Sequence, residues 1–335
     1  MSEPSPKTSV EMLRSVSRTF ALSIEQLPGV LSDAVSVSYL LLRVSDCLED
    51  HGAMPAARKA ELLRQWADVL DQGRAVADLT GRIADLDGSD PEVYVAQHAG
   101  RVLELLALLP GPIQEAIIAR VAKTSRGMAR WQEHGPFVRD EAELDDYMHE
   151  VAGRVGYLLT DIFAWHSPVI AQRREELMPL SRQYGLALQT VNVLRGMRQD
   201  HARGWVFVPE TYLARVGLDR DSLFDPANVE QAMAVVRLLA DKAEAHLRHG
   251  IDYIEAFPRI QHRIRLACMW PLFFAVRTLA VSRDNREVLV GEAKIGRDQV
   301  RSIIQRTTMF GWSNHWLEAY YRQLARSPSP TGRPA

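Results

Sequence analysis

Cysteine is scarce in this chain: Cys47 and Cys268 are the two in 335 residues, far apart and without CxxC spacing. That excludes a disulfide scaffold and leaves nothing that requires an oxidising compartment. Charge of one sign is also missing. Lys and Arg total 40 against 42 Asp and Glu, a net charge of −2, so overall charge gives no reason to expect nucleic acid or a strongly anionic membrane as partner. Long hydrophobic runs are absent as well; Trp270 to Val276 is short against the roughly 18 apolar residues that span a bilayer. The opening MSEPSPKTSV has no apolar core of a signal peptide. A cytoplasmic location without a transmembrane anchor is the expectation. No Walker A sequence or GxSxG occurs, and Gly153 to Gly156 lacks the spacing and the preceding strand of a dinucleotide site. His246 and His249 are three apart with no third ligand nearby in sequence, so they read as a surface face.

Helix formers are abundant, and apolar residues recur at three and four over Pro55 to Leu70, Pro91 to Leu109 and Val229 to Phe257. Alternating β-branched runs with tight-turn dipeptides are missing, so a sheet has little support. Breaks fall at Pro28-Gly29, Gly88 to Pro91, Pro110 to Pro112, Gly135-Pro136, Pro209 and Pro258. No long linker divides the chain. The expected organisation is a flexible N-terminus over 1–14, one all-α domain over 15–326 and a disordered Ser/Pro-rich tail over 327–335.

Two stretches carry acids or polar stripes on otherwise apolar helices. In Tyr39 to Asp50, Asp46, Glu49 and Asp50 stand at i, i+3 and i+4, with Arg43 and Tyr39 one and two turns earlier on the same face. Like charges at that spacing repel, and a hard divalent cation such as Mg²⁺ relieves them. The ordinary alternative is a solvated acidic helix end, and the apolar residues leading up to it argue for burial instead. In the second stretch, Gln189, Asn192, Arg195, Gly196, Gln199 and Asp200 fall on one stripe; buried polar groups need partners, and a ligand is one way to supply them. Between them, Ala152, Gly153 and Gly156 make a small-residue face suited to close helix packing or to a bulky apolar ligand, packing being the commoner reason.

Taken together, these residues resemble the squalene/phytoene synthase family of head-to-head prenyl synthases, and most closely its squalene synthase branch. The resemblance runs through five ordered blocks over about residues 15 to 305: Ser17 to Asp50, YMHEVAGRVG, LQTVNVLRGMRQDHARGWVFVP, Cys268 to Leu279 and AKIGRDQV. It implies an all-α isoprenoid synthase fold, a single helical domain around a central cavity in which two acid-rich helices hold Mg²⁺ ions on the diphosphates of two farnesyl diphosphates. Ionisation of one substrate and attack by the second gives presqualene diphosphate; a second ionisation, rearrangement and hydride transfer from NADPH gives squalene.

By the same resemblance, Asp46, Glu49 and Asp50 are metal ligands, joined by Asp200 and Gln199 of the second motif. Arg18, Arg43, Arg195 and Arg203 are diphosphate-contacting arginines, with Tyr39, Gln189 and Asn192 beside them. Tyr147 matches the tyrosine that assists the first half-reaction, alongside Arg43, Asp46 and Asp50. Lys294 and Arg297, with Asn192, match the NADPH block, and the two cations read equally as a solvated basic face. Metals and arginines neutralising a departing diphosphate, in a pocket otherwise apolar, is the chemistry such a reaction needs. The implied partners are a prenyl diphosphate and, for so hydrocarbon a product, a peripheral membrane contact; oligomeric state is left open.

The chain also departs from the family pattern. Gly196 and Gln199 stand where the second motif usually carries carboxylates, so the two motifs offer four acids rather than six. Arg154 and Arg198 replace aliphatic residues, which raises the possibility that guanidinium stands in for metal charge. Three outcomes follow: a squalene synthase with a modified metal site, a related enzyme making a dehydrosqualene- or phytoene-type product or acting on a single substrate, or a non-catalytic binder of prenyl diphosphates.

Overall fold

The computed structural model describes residues 9–291 and 293–326, without the side chains of Ser9 and Arg18. The chain forms two compact units, residues 1–135 with 154–178 and residues 136–153 with 179–335. In chain order, the first unit opens with helices α1 (Ser9–Val16), α2 (Arg18–Glu25), α3 (Gly29–Asp50), α4 (Ala56–Gln72), α5 (Val76–Arg82), α6 (Pro91–Gln97), α7 (Ala99–Ala107) and α8 (Gly111–His134). Strand β1 (Phe137–Val138), helix α9 (Glu141–Met148) and a π turn (His149–Gly153) belong to the second unit. Helices α10 (Arg154–His166), α11 (Pro168–Gln172) and the first residues of α12 (Arg174–Ala202) return to the first. The second unit is completed by β2 (Val206–Pro209), α13 (Glu210–Arg215), α14 (Val229–Ala256), α15 (His262–Ser282), α16 (Arg297–Phe310) and α17 (Asn314–Leu324).

The proline and glycine breaks read from the sequence all coincide with element boundaries. Pro179 and Pro271 are different: both lie inside helices. One apolar run, Pro91 to Leu109, is cut at His98 into α6 and α7. Residues 9–14, expected to be flexible, are helical, because Met12 and Leu13 are about 1% exposed and give α1 an inward face. The expected tail over 327–335 and residues 1–8 lie outside the described residues.

In the first unit α3 is buried along most of its length, with Leu31, Leu40, Leu41, Val44 and Leu48 fully enclosed. It packs against α4, α6 and α8 around the buried Trp66 and Trp131. Where α3 meets α8, the Ser45 and Ser125 hydroxyls bond at 2.9 Å, which satisfies both in an apolar surround. That packing leaves the last turns of α3 projecting their polar face from a rigid base.

The second unit is organised by α14 and α15. Helix α15 is long and apolar enough to cross a membrane, with mean hydropathy 1.5, although the sequence showed only a short unbroken apolar run. Its window is 78% buried inside the fold, which marks a core helix. Arg265 is fully buried on it and donates to the carbonyls of Ile254 and Phe257 at 3.0 and 2.9 Å and to Asn314 Oδ1 at 2.6 Å. Burial lowers its pKa to about 10. The guanidinium ties the C-terminal end of α14 to the start of α17, where helix-end carbonyls carry partial negative charge. The small sheet the sequence did not announce is one parallel pair, with Phe137 opposite Val206 and the Val206 N–H donating to Pro136 O at 2.9 Å.

The small-residue face resolves as close packing. The backbone widens into a π turn at His149–Gly153, and α12 approaches it at Gly185. A Cβ on Gly185 would stand 2.3 Å from the Ala152 carbonyl oxygen; one on Gly196, a turn from the end of the same helix, would meet nothing nearer than Asp200 Oδ2 at 3.6 Å. Gly185→Ala is therefore expected to destabilise the protein by about 3 kcal/mol, the upper end for overpacking, since backbone must move. Gly196→Ala should stabilise it by about 0.5–1 kcal/mol, the helix-interior cost of glycine. Urea midpoints check both, and a Gly185→Ala variant as stable as wild type would contradict the close approach.

Candidate active site

The first cluster grows from the end of α3. Arg43 donates through one terminal nitrogen to the Tyr39 hydroxyl at 2.5 Å and through the other to Glu92 Oε1 at 2.8 Å, with Asp46 Oδ2 at 3.6 Å. Its side chain is 19% exposed, and its Nε is buried without a hydrogen-bond partner. Burial works against its charge, but Asp46, Tyr39 and Glu92 outweigh it and hold the pKa above the ordinary arginine value. Asp46 moves the other way. Crowding by protein pushes its carboxyl up to about 6; Arg43 pulls it down, and Asp50 and Glu92 push it up again.

Glu92 was missed in the sequence. It sits in the first turn of α6, after the N-cap Asp90 and Pro91, and its backbone N–H donates to Asp90 at 2.8 Å. The Asp-Pro-Glu helix start was the available signal, because it places an acid where the helix dipole favours one; which helix it faces was not readable. The three expected metal ligands differ in environment: Glu49 is buried, Asp46 half-buried and Asp50 exposed. Among the described residues no three acids, histidines or cysteines are gathered into a ligand set. Their chemistry nonetheless fits a hard cation: Asp46 and Asp50 are crowded oxygen donors that repel each other, and Glu92 adds a third charge. Holding Mg²⁺ requires these side chains to swing together.

The second cluster lies on α12 and has the opposite character. Asp200 is its single carboxylate, nearly buried and taken by Arg203. Arg195 is half-buried, and its Nε is buried without a partner. Gln199 and Asn192 are exposed, and the Asn192 amide donates weakly to Gln189 Oε1 at 3.4 Å. Gly196 contributes no donor. Two guanidiniums against one carboxylate suit an anion, and this donor set does not fit a divalent cation on its own. Arg198, one turn from Arg195, lies with its guanidinium 5.2 Å from the ring centre of Phe224, a stacking contact. Arg154 opens α10 in the first unit.

Beside Asp200, the side chains of Val193, Met197, Phe207, Leu223 and Phe224 line a shallow crevice. Tyr147, buried at the end of α9, stacks on Phe207 with ring centres 4.2 Å apart, and Phe207 stacks on Trp205 at 5.2 Å. The result is a ladder of three aromatic rings centred on Phe207 of β2, with Phe207 beside Asp200 of the polar stripe. Lys294 and Arg297 are exposed on either side of Gly296, the N-cap of α16. Arg18 is the first residue of α2, and its side chain lies outside the described residues. His246 is not on a surface face: it is buried, with Nδ1 2.7 Å from Gln183 Oε1 and Nε2 3.5 Å from Asp145, which Lys242 pairs at 2.8 Å. Only His249 is exposed, beside Asp252.

A profile of the squalene/phytoene synthase family matches residues 13–299. The chain belongs to that family. It is 27% identical to squalene synthase of Homo sapiens over 306 residues, covering 90% of this chain and 69% of that one. It is 28% identical to lycopaoctaene synthase of Botryococcus braunii over 317 residues, covering 91% and 67%. The chain spans about two thirds of the length of the curated relatives it matches, from 60% to 75% in the cases compared. A solved structure of TcSQS with a ligand superposes with a TM-score of 0.80 at 22% identity, covering 97% of this chain and 92% of that one. The fold is therefore the all-α isoprenoid synthase fold.

The two clusters make different demands on metal. Replacing Asp46 and Asp50 together by Asn is expected to weaken Mn²⁺ binding by more than about 10-fold, since even partners of ligands are worth that much. Asp200→Asn should leave the Mn²⁺ stoichiometry unchanged. Electron paramagnetic resonance of Mn²⁺ titrated in the presence of inorganic pyrophosphate reads both; loss of a bound ion in Asp200→Asn would show that α12 holds metal after all.

Proposed function

We propose that the protein is a Mg²⁺-dependent prenyltransferase that condenses two farnesyl diphosphates head to head, through presqualene diphosphate, to squalene. Residues 15–326 are taken as the working synthase domain, and the cytoplasm as its location. The observation that carries the reading is a buried guanidinium N–H without a partner on each cluster, Arg43 Nε and Arg195 Nε. Such a donor costs about 1–3 kcal/mol while unsatisfied, and an anion rich in oxygen acceptors, such as a diphosphate, removes that cost.

In this account Tyr39 and Glu92 hold the Arg43 guanidinium in place, and Arg195 and Arg203 receive a diphosphate on α12, with Gln189 and Asn192 at its edge. Asp46 and Asp50, with Glu92 nearby, would hold Mg²⁺, which when bound would neutralise charge on the departing diphosphate. Tyr147 offers a buried phenol against Phe207, and the Trp205–Phe207–Tyr147 ladder presents π faces and no strong base to an allylic cation while keeping water away. Lys294 and Arg297, with Asn192, are the cationic and amide groups that would hold NADPH, the source of hydride for the second half-reaction.

A second reading is a sibling enzyme with a different product. It is favoured by the missing carboxylates at Gly196 and Gln199 and by the presence of a lycopaoctaene synthase among relatives of similar identity. A non-catalytic binder is disfavoured by the acids retained on α3. Incubation with farnesyl diphosphate and Mg²⁺, with and without NADPH, separates these readings by the product extracted. Squalene formed only with NADPH is expected. Dehydrosqualene or a single-substrate alcohol in both conditions would replace the first reading by the second, and pyrophosphate that is bound but never released would refute both.

A further inference from the structure

One corner of the second unit leaves large apolar side chains uncovered. Ile260, in the turn between α14 and α15, is 90% exposed, and at the end of α16 Met309, Phe310 and Trp312 are 65%, 44% and 53% exposed. The two segments are held together. His262 Nε2 lies 3.2 Å from Thr308 O, Arg265 donates to Gly311 O at 3.3 Å, and the Phe310 ring sits 5.7 Å from Trp316, which stacks on Tyr320 at 4.6 Å. Residues this apolar, gathered at one place and held in position, mark an interaction surface.

The exposed charge around them is mainly basic. Residues 256–283 and 299–317 contain no Asp or Glu, and Arg259, Arg263 and Arg306 are exposed beside the apolar group. The acids that flank these stretches include Glu255, half-buried and within electrostatic range of Arg259 and Arg265, and Glu318, which faces Arg248 at 3.8 Å. A near-neutral total charge therefore conceals a basic corner. We propose that this corner seats on the surface of an anionic lipid bilayer, with Trp312, Phe310, Met309 and Ile260 entering the headgroup–acyl boundary and Arg259, Arg263 and Arg306 meeting lipid phosphates. Tryptophan favours that boundary, and arginine spans it with an apolar stem and a charged head. The contact is superficial, because α15, which begins at His262, stays inside the fold. A second copy of the chain fits less well, since a two-fold contact would press the arginines of one copy against those of the other. The inference does not depend on the reaction proposed above.

Cosedimentation of the full chain with vesicles tests it. Wild-type protein is expected to bind phosphatidylcholine vesicles containing phosphatidylglycerol, more weakly as salt rises, and to bind pure phosphatidylcholine much less. Arg259→Gln with Arg263→Gln should lower partitioning to the anionic vesicles about 30-fold, at roughly 1 kcal/mol for each arginine. Ile260→Ser with Trp312→Ser should lower it about 10-fold or more. All four positions are exposed, so unchanged circular dichroism and melting are expected for both variants. Absence of wild-type binding, or variants that partition like wild type, would overturn the proposal. So would a wild-type dimer in light scattering that Ile260→Ser with Trp312→Ser dissociates while vesicle binding is nil, because a second copy would then cover the corner.

Discussion

A guanidinium packed into a protein needs acceptors for all of its N–H groups, and among the described residues two arginines have a buried N–H that lacks one. Arg43 satisfies its terminal nitrogens with Tyr39 and Glu92 yet keeps a buried, unpartnered Nε. Arg195 keeps the same group unpartnered on α12. The fold tolerates this because each arginine stands on a helix whose other face is locked into an apolar core. The Ser45–Ser125 contact and the enclosed leucines fix α3, and the Gly185 approach fixes α12 against the π turn. Rigidity behind the arginine keeps the donor from relaxing towards the protein's own carbonyls, and leaves it for a ligand.

The two clusters share that feature and differ in charge. On α3 the acids outnumber the arginine: burial raises the Asp46 pKa, Arg43 pulls it down, and Asp50, with Glu92 of α6, pushes it up again. On α12 the balance is reversed: Arg203 already neutralises Asp200, and Gly196 and Gln199 bring no charge. In the reading proposed here a diphosphate is neutralised by metal on α3 and by guanidinium on α12, where Gly196 and Gln199 leave fewer acids to hold a cation. Arg198, which helical spacing already places toward the edge of the stripe, stacks on Phe224. Arg195 and Arg203 carry the positive charge of the stripe.

Much of this was legible beforehand. Helix periodicity and the Pro/Gly breaks located the elements, and the polar stripes on α3 and α12 were visible because polar residues at helical spacing interrupt apolar runs. Contacts between distant segments were hidden. Glu92 stands 49 residues from Arg43, and nothing in its own helix says which partner it meets. His246 read as surface because spacing alone does not show that Gln183 and Asp145 surround it. Residues 9–14 read as flexible because two buried side chains in a short polar helix give little periodic signal. The basic corner at Ile260 and Trp312 was invisible for a related reason: its two halves come from segments about 50 residues apart, and only the fold sums their charge.

The central claim is that the unpartnered guanidinium donors exist to meet a diphosphate. Nitrogen-15 NMR of the arginine Nε–H groups, assigned through Arg43→Lys and Arg195→Lys, follows those two protons directly. On addition of inorganic pyrophosphate with Mg²⁺, both resonances should shift and become protected from exchange with solvent. If neither resonance moves while pyrophosphate is demonstrably bound, the anion sits elsewhere and the assignment of these clusters is wrong.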